Sequence, residues 1–516
     1  MIDLAGIPIL SLIILTPLVG ALLLAFIPGQ NLRAIRWTAL GIALVAFVLS
    51  LVAVLGFDAS QPVQPDGSIY QFAEQQPWIP FFGINYQLGM DGISLLLVVL
   101  TTTLTWISIL ASFTPVQSRV KEYMISFLVL EVGMLGVFLA LDMFLFYIFW
   151  EIVLVPMYLI IGIWGGANRI YATIKFVLYT LVGSLLMLVA ILATAFSYQA
   201  ATGSWDNAFN IQKLVEAGFD PTLQFWAFLA FFLAFAIKVP MFPFHTWLPD
   251  AHVEAPTAGS VILAGVLLKL GGYGFLRFAL PLFPDAARDL GPLIVVLSLI
   301  AIIYGAIVAI VQPDLKKLVA YSSVSHMGFV TLGIFVFQEQ GMQGAIMQMI
   351  NHGIITGALF LCVGVIYERT HDRTIAKMGG LASRTPVYAA VFGFFMMASI
   401  GLPGLAGFVG EFLVFLGTFA VSPVAAAIAV LVIIFGAVYL LWMFQRVIFG
   451  EVSDFLKGLG HHLTDMTPVE VLTLAPLAAL TLIIGIYPAL VLDFIQVPVD
   501  VILDQLQAGA SVGLLK

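Results

Sequence analysis

The stretch that decides the fold is residues 236–249, which read Ala-Ile-Lys-Val-Pro-Met-Phe-Pro-Phe-His-Thr-Trp-Leu-Pro. It continues a long apolar run, yet it contains the charged Lys238 and three prolines. Proline in a helix interior frees a backbone carbonyl and kinks the chain. Irregular backbone at membrane depth is tolerated only where it is buried in protein or lines a water-filled cavity. The stretch therefore predicts a broken membrane-spanning helix with a functional group beside its break.

The composition around this stretch excludes a water-soluble protein. Of the 516 residues, 62% are hydrophobic and only 9% are charged, against roughly a quarter charged in soluble domains. This balance excludes a soluble enzyme, a nucleic-acid-binding protein and a secreted disulfide scaffold. The single cysteine, Cys362, excludes an intrachain disulfide and a thiolate metal site. The chain is predicted to be an all-α, multi-pass membrane protein.

Apolar runs give the number of crossings. A crossing takes about 20 apolar residues, and the chain contains about 14 such runs, numbered here as spans 1 to 14. They are predicted near residues 7–27, 36–57, 92–113, 123–141, 143–164, 174–198, 225–248, 258–283, 292–312, 318–337, 342–367, 387–417, 424–449 and 469–495.

Lysine and arginine are distributed unequally between alternate connections. Fourteen of the 20 lie in odd-numbered connections. Four lie in even-numbered connections or the tail, namely Lys213, Arg277, Arg288 and Lys516. Because positive charge is retained on the cytoplasmic side, the odd connections are predicted to be cytoplasmic and both termini to lie on the outer, periplasmic side. The remaining two cations, Lys238 and Lys269, lie inside predicted spans.

Seven ionisable side chains lie deep in the predicted spans. They are Glu131, Glu151, Lys238, Lys269, His326, His352 and Glu411. Counted at about 1.5 Å per residue, six of them fall near the middle of the hydrocarbon layer, and Glu411 falls nearer the outer end of its helix. A single buried charge can be structural, and Glu131 and His352 are each open to that interpretation. Seven together predict a proton relay, because each is costly at this depth.

A second broken helix is predicted in span 12, where residues 399–411 read Ser-Ile-Gly-Leu-Pro-Gly-Leu-Ala-Gly-Phe-Val-Gly-Glu. The two breaks lie five spans apart, so the second unit is inverted relative to the first. This predicts two inverted five-helix repeats, spans 4–8 and 9–13, with broken helices 7 and 12. The predicted divisions are 1–113 (spans 1–3 and an outer loop), 123–283 (first repeat), 292–449 (second repeat) and 450–516 (a cytoplasmic loop, span 14 and the tail).

These motifs together resemble the antiporter-like proton-pumping subunits of respiratory complex I, NADH:quinone oxidoreductase. The similarity is carried by residues 236–252, by Leu263-Ala-Gly-Val-Leu-Leu-Lys-Leu-Gly-Gly-Tyr-Gly and by Asp314-Leu-Lys-Lys-Leu-Val-Ala-Tyr-Ser-Ser-Val-Ser-His-Met-Gly. It extends from about residue 90 to residue 450. The resemblance implies a membrane-arm subunit of an H+-translocating oxidoreductase, in which electron transfer elsewhere drives proton movement through this chain.

The resemblance also implies a role for each matching position. Glu151 pairs with Lys238 to admit protons from the cytoplasm, and Lys269 is the central relay group. His326 and His352 carry the proton towards span 12. There Glu411 stands where sister subunits tend to have lysine, which implies the member flanked by two sister antiporter-like subunits, of the chain L and chain N types.

Cofactors are expected in other subunits, where the family has FMN, iron–sulfur clusters and quinone. For this chain the resemblance implies no redox centre, no metal and no nucleic acid. The expected partners are the other complex I membrane subunits, lipids and protons. The expected location is a bacterial inner (cell) membrane.

Three alternatives remain. A subunit of a multisubunit Na+/H+ antiporter has the same fold, and Glu411 in place of lysine argues against it. A membrane cytochrome could bind haem between His326 and His352, since Gly328 and Gly353 lie beside them, but the buried Glu and Lys residues would then have no purpose. A purely structural scaffold is disfavoured by the cluster of buried charges.

Overall fold

The computed structural model describes residue 4 and residues 6–61, 63–64 and 68–512, without the side chains of residues 508–512. Lys516, which enters the charge distribution between the two sides, lies outside the described residues, as do the chain's first three positions.

Within the described residues, thirteen helices are long and apolar enough to cross a membrane. Lipid tails offer no hydrogen-bond partners, and a helix pairs its backbone N–H and C=O groups within itself. In chain order they are Ile9–Phe26, Leu32–Gly56, Gly92–Ala111, Val120–Leu139, Met143–Trp164, Arg169–Thr202, Pro221–Lys238, Thr257–Leu282, Pro284–Ile310, Leu315–Phe335, Glu339–Thr370, Pro423–Ile448 and Pro468–Ile486.

The two remaining apolar helices make up span 12. Pro386–Ile400 and Ala406–Val421 are each too short to cross alone, and residues 401–405 between them are not helical. Together they complete the fourteen predicted spans. The break predicted in span 12 is therefore confirmed.

Span 7 is broken as its prolines predict. Pro221–Lys238 ends at the lysine, and the chain resumes as the short helix Trp247–Glu254. The indole N–H of Trp247 donates to the carbonyl of Ile237 at 2.9 Å, and the backbone N–H of Met241 donates to the carbonyl of Ala236 at 2.8 Å. These bonds satisfy carbonyls that the break would leave unpaired.

The spans differ in how much of their surface the chain itself covers. Spans 8 and 11 are fully buried and span 10 is almost fully buried, whereas only about a third of spans 2, 13 and 14 is buried. The exposed surface is apolar and suits lipid or a neighbouring subunit. Spans 8, 10 and 11 therefore form the centre of the molecule, and they carry Lys269, His326 and His352.

One connection contains the only strands among the described residues. Gln71–Ile79 and Ile84–Met90 pair antiparallel between spans 2 and 3, a hairpin that the hydropathy pattern does not reveal. Asp142 holds it against span 5, because its carboxylate accepts the backbone N–H of Asn85 at 3.0 Å and also caps the helix that follows. Burial raises the pKa of Asp142 to about 6, against the lowering effect of these backbone donors.

The odd and even connections gather at opposite ends of the bundle. At one end, Lys121 donates to the carbonyl of Ile27 at 2.9 Å, which joins connections 3 and 1. At the other end, Asn210 donates to Gln87 at 3.0 Å, which joins connections 6 and 2. We call these the inner end and the outer end, after the sides predicted by the charge distribution. The C-terminal helix Ala489–Val512 packs against spans 3, 9 and 11.

Candidate functional site

Lys269 is the central charge of the molecule. It lies in the middle of span 8 and is inaccessible to solvent. Its ammonium nitrogen lies 2.7 Å from Nδ1 of His352 on span 11, and it also donates to the carbonyl of Ala264. The structure thus joins two of the predicted relay residues directly.

The backbone of span 8 prepares this contact. Residues Leu263–Leu267 form a π-helical turn, in which hydrogen bonds run from i to i+5 and the pairing of neighbouring carbonyls is disturbed. Ala264 lies in this turn, and its carbonyl accepts from Lys269, five residues further on. A buried ammonium group needs such acceptors because its desolvation is otherwise uncompensated.

A second hydrogen-bonded pair of predicted relay residues joins spans 10 and 12. Nδ1 of His326 on span 10 lies 2.9 Å from Oε1 of Glu411 on span 12, and the amide of Gln348 donates to the same oxygen at 3.3 Å. The other ring nitrogen of His326 lies 3.4 Å from the hydroxyl of Ser399 and 3.5 Å from that of Tyr439. Every polar atom of this histidine therefore has a neighbour able to exchange a proton.

The two pairs approach each other through their histidines. The ring centroids of His326 and His352 are 6.1 Å apart, and both side chains line one small cavity together with Ser399 and Glu411. Nε2 of His352 has no hydrogen-bond partner among the described residues. The two pairs therefore meet at one cavity, and Nε2 of His352 is a polar atom between them that is unpaired within the described residues.

The break in span 12 brings Glu411 into this line. Gly401 ends the first half-helix with φ of 86°, a conformation that favours glycine. A Cβ at Gly401 would lie 3.3 Å from the Glu411 carboxylate. Counting along an unbroken helix places Glu411 nearer the outer end, and this expectation is wrong: the interruption sets Glu411 at the level of His326, to which it bonds.

Glu151 and Lys238 lie near each other without touching. Glu151 acts electrostatically on Lys238, but no ion pair of 4.0 Å or less joins them within the described part of the chain. The Lys238 ammonium instead lies 5.2 Å from the ring centroid of Trp150 and 5.9 Å from that of Phe176. The cation is buried against aromatic faces, which attract it electrostatically.

Glu131 stands apart from the line. It is fully buried in span 4, and neither carboxylate oxygen has a hydrogen-bond partner by distance and angle among the described residues. Thr105 on span 3 is the polar side chain that faces it. The structure does not bring Glu131 into contact with the other six predicted residues.

His252 is a buried titratable group that the sequence analysis does not single out. It lies on the short helix after the span 7 break, has no accessible surface, and leaves both ring nitrogens without a described partner. Its ring stacks on Phe360 with centroids 4.6 Å apart, and the charges of Lys269 and Lys316 both act on it. The sequence signal for His252 is its position, three residues after Pro249, the third proline of the broken stretch.

Lys316 connects this region to the inner end. Its ammonium is buried and donates to the carbonyl of Ala255 at 2.5 Å. It lines a cavity of ≈ 650 Å³ that also touches Glu254, Glu368 and Arg373.

Comparison with known proteins places this arrangement in a family. Residues 140–436, more than half of the chain, match the family described as NADH:quinone oxidoreductase/Mrp antiporter. NADH-quinone oxidoreductase subunit M of Rhodobacter capsulatus is 52% identical over 506 residues, which cover 94% of each chain. A chain of respiratory complex I from Thermus thermophilus, solved with bound NADH, has a TM-score of 0.84 and 33% identity over 96% of this chain and 99% of that one.

A chain of the Mrp complex of a Dietzia species has a TM-score of 0.80 over 97% of this chain and 99% of that one, at 22% identity. At that identity the likeness shows the fold alone. The alternative of a Na+/H+ antiporter subunit is accordingly less well supported than the complex I assignment.

The chain belongs to the antiporter-like membrane subunits that NADH:quinone oxidoreductases share with Mrp antiporters. Within that family it groups with subunit M of the NADH-quinone oxidoreductases, as Glu411 predicts. The predictions of a multi-pass membrane protein and of a subunit of this enzyme complex are confirmed.

Proposed function

We propose that protons cross this subunit along a line of buried groups that runs from Lys269 through His352 and His326 to Glu411. The observation that carries the proposal is the pair of short contacts, 2.7 Å from Lys269 to His352 and 2.9 Å from His326 to Glu411. Each group can both release and take up a proton. The line lies in the most buried spans, where such groups are costly unless they are used.

Uptake is proposed at the inner end. The cavity lined by Lys316 reaches into the bundle there, and His252 lies within electrostatic reach of both Lys316 and Lys269. A histidine with two free ring nitrogens can accept a proton on one side and release it on the other. Lys238, with Glu151 nearby, supplies a charge whose movement alters the proton affinity of Lys269.

The surroundings of the subunit follow from the same assignment. The exposed apolar surfaces of spans 2, 13 and 14 are proposed to meet lipid and the two sister subunits of the chain L and chain N types. FMN, the iron–sulfur clusters and quinone are proposed to reside in other subunits. The proposed location is a bacterial inner membrane with the inner end in the cytoplasm.

The test is proton pumping by the assembled complex in membrane vesicles, with Lys238→Ala and Lys269→Ala compared with wild type. NADH oxidation with an artificial acceptor is recorded in parallel. Pumping and quinone-coupled turnover are expected to fall together by at least about tenfold, the change produced by about 1.4 kcal/mol on a barrier, while artificial-acceptor activity persists.

The matched control is Lys457→Ala, which removes an exposed lysine from the loop before span 14. It is expected to leave pumping unchanged. If Lys269→Ala assembles and pumps like the control, the relay proposal is wrong.

A further inference from the structure

A second buried charge lies on span 8, between Lys269 and the outer end. Arg277 is only 5% exposed. Its guanidinium forms an ion pair with Asp91 and donates to the hydroxyls of Tyr70 at 2.9 Å and Tyr273 at 3.3 Å. The guanidinium carbon also lies 5.0 Å and 5.5 Å from the centroids of these two rings. Each of the three guanidinium nitrogens therefore has a polar partner.

The partners of Arg277 are themselves fixed. Asp91 caps span 3 by accepting the backbone N–H of Ser94 at 2.9 Å. The Tyr273 hydroxyl donates to the carbonyl of Phe138 on span 4 at 2.9 Å and lies 3.2 Å from the Ser94 hydroxyl. Spans 3, 4 and 8 are thus tied together at this level, so the cluster is rigid.

A cavity leads to this cluster from the outer end. It has a volume of ≈ 140 Å³ and is lined by residues of the hairpin connection, of connection 6 and of the C-terminal helix, with Tyr70 and Arg277 among them. Gln212, Glu216 and Gln505 make its wall partly polar. Solvent from the outer side can therefore approach Arg277.

Arg277 follows Lys269 by eight residues. At about 1.5 Å per residue, this separates the two by about 12 Å along the helix. The segment Phe275–Ala279 around Arg277 is again π-helical, as is the turn that supplies the acceptor for Lys269. Irregular turns of this kind are frequent at functional sites.

We propose that the Arg277–Asp91 pair, with Tyr70 and Tyr273, is a seal that separates Lys269 from the outer solvent. A guanidinium has donors only and does not deprotonate in proteins. A hydrogen-bonded chain from the outer cavity that reaches the guanidinium therefore cannot carry a proton beyond it. A fixed arginine excludes protons and cations in other membrane channels by the same physical means.

The seal rests on the proposed relay, and it gives that relay a direction. A proton on Lys269 then leaves only through His352, while the gradient that the complex builds cannot return protons to Lys269 from the outer side. Arg277 is on this account a positioning residue for the barrier and does not itself carry protons.

The test measures passive proton return in vesicles that contain the assembled complex without turnover, after an imposed pH gradient. In the double variant Arg277→Gln/Asp91→Asn, the pair is removed without leaving either charge alone. We expect proton return to rise by about tenfold, the effect of a barrier lowered by about 1.4 kcal/mol. NADH oxidation with an artificial acceptor should not change.

Two controls separate a broken seal from a damaged fold. Arg288→Gln/Asp285→Asn removes another ion pair at the outer end and should leave proton return at the wild-type value. Adding Lys269→Ala to the double variant should abolish the extra proton return, because the opened route then lacks its inner acceptor. Unchanged return in the assembled double variant overturns the seal, as does a leak that persists without Lys269.

If the double variant fails to assemble, the single variant Arg277→His, which keeps Asp91, tests the seal by the same measurement of proton return. Histidine both donates and accepts, so proton return should exceed wild type and increase towards pH 6.5. Return equal to wild type overturns the proposal. Failure of the relay itself is distinguishable, since it appears as normal pumping in Lys269→Ala alone.

Discussion

The carboxylate of Glu411 accepts hydrogen bonds from two neighbours on different spans. His326 and Gln348 approach the same carboxylate oxygen, and the second oxygen faces Gly401. In the proposed relay, the charge on this carboxylate, and not only its shape, is what the neighbouring histidine meets.

Glu411→Gln should therefore impair pumping although the side chain keeps its size. Losing a charge-assisted hydrogen bond is worth about 1.5–3 kcal/mol, so we expect a loss of at least about tenfold in proton translocation by the assembled complex. The measurement is vesicle acidification driven by NADH. Glu451→Gln, an exposed carboxylate at the inner end, is the control, and equal pumping by both variants would contradict the role of Glu411.

For single residues, the sequence predicts which side chains are buried and ionisable, but not which side chains they contact. An ionisable residue within an apolar run is conspicuous, and Lys269, His326 and His352 are predicted on that basis. The contact between Lys269 and His352 joins positions 83 apart, and no local pattern encodes it. His252 is not identified from the sequence, because a histidine just after a broken helix is typical of a helix end near the membrane surface. The fold instead buries it completely.

The broken spans show how an element can be interrupted without exposing its backbone. In span 12 the backbone N–H of Leu402 donates to the carbonyl of Met397 at 3.2 Å, which satisfies a carbonyl at the end of the first half. The amide of Asn351 donates to the carbonyl of Ala406 at 2.6 Å and ties the second half to span 11. The break itself was predictable from proline and glycine. Its effect on the depth of Glu411 was not, because that depends on how the two halves are offset.

Gly401→Ala should destabilise the break. Residues with a side chain are disfavoured in this left-handed conformation by about 1–2 kcal/mol, and the added methyl group would also press on Glu411. We expect a lower thermal inactivation temperature of the complex and reduced pumping. Gly436→Ala in span 13 is the control, since a Cβ there meets nothing within 4 Å; an equal or larger effect at Gly436 would refute this interpretation.

For the whole molecule, the orientation in the membrane is predicted from the charge distribution. Odd connections lie at one end of the structure and even connections at the other, so labelling one residue at each end determines the orientation. Cys362 is buried and should not react with a labelling reagent, so the wild-type chain should give no labelling background. Ser60 and Lys457 are exposed at the outer and inner ends, respectively.

With Ser60→Cys, a membrane-impermeant maleimide should label the protein in intact cells. With Lys457→Cys, labelling should require that the membrane be opened first. The read-out is the mass or fluorescence of the purified subunit, and wild type serves as the unlabelled reference. The reverse pattern would show that the predicted orientation is inverted.

The number and order of spans could be predicted because hydropathy is a local property. The central position of spans 8 and 11 is reflected in hydropathy only in part. Their mean hydropathies are 1.6 and 1.9, against 2.9 for span 13, of which about a third is buried. The lower values are consistent with a central position, but which helices a span contacts depends on packing and is not a local property. The division into residues 123–283 and 292–449 as repeats stays a prediction.

The two π-helical turns of span 8 have a mutational consequence. A π-helical turn holds one residue more than the α-helical turn it replaces, so deleting one residue within 263–267 leaves the side chains beyond it close to their present directions. The same deletion in the regular segment Leu268–Gly274 rotates every side chain beyond it by about 100° and moves it by about 1.5 Å. A deletion between Lys269 and Arg277 would thus turn Arg277 relative to Lys269 although both residues remain in the chain. The spacing along span 8 is in this sense as much a part of the site as the charges it carries.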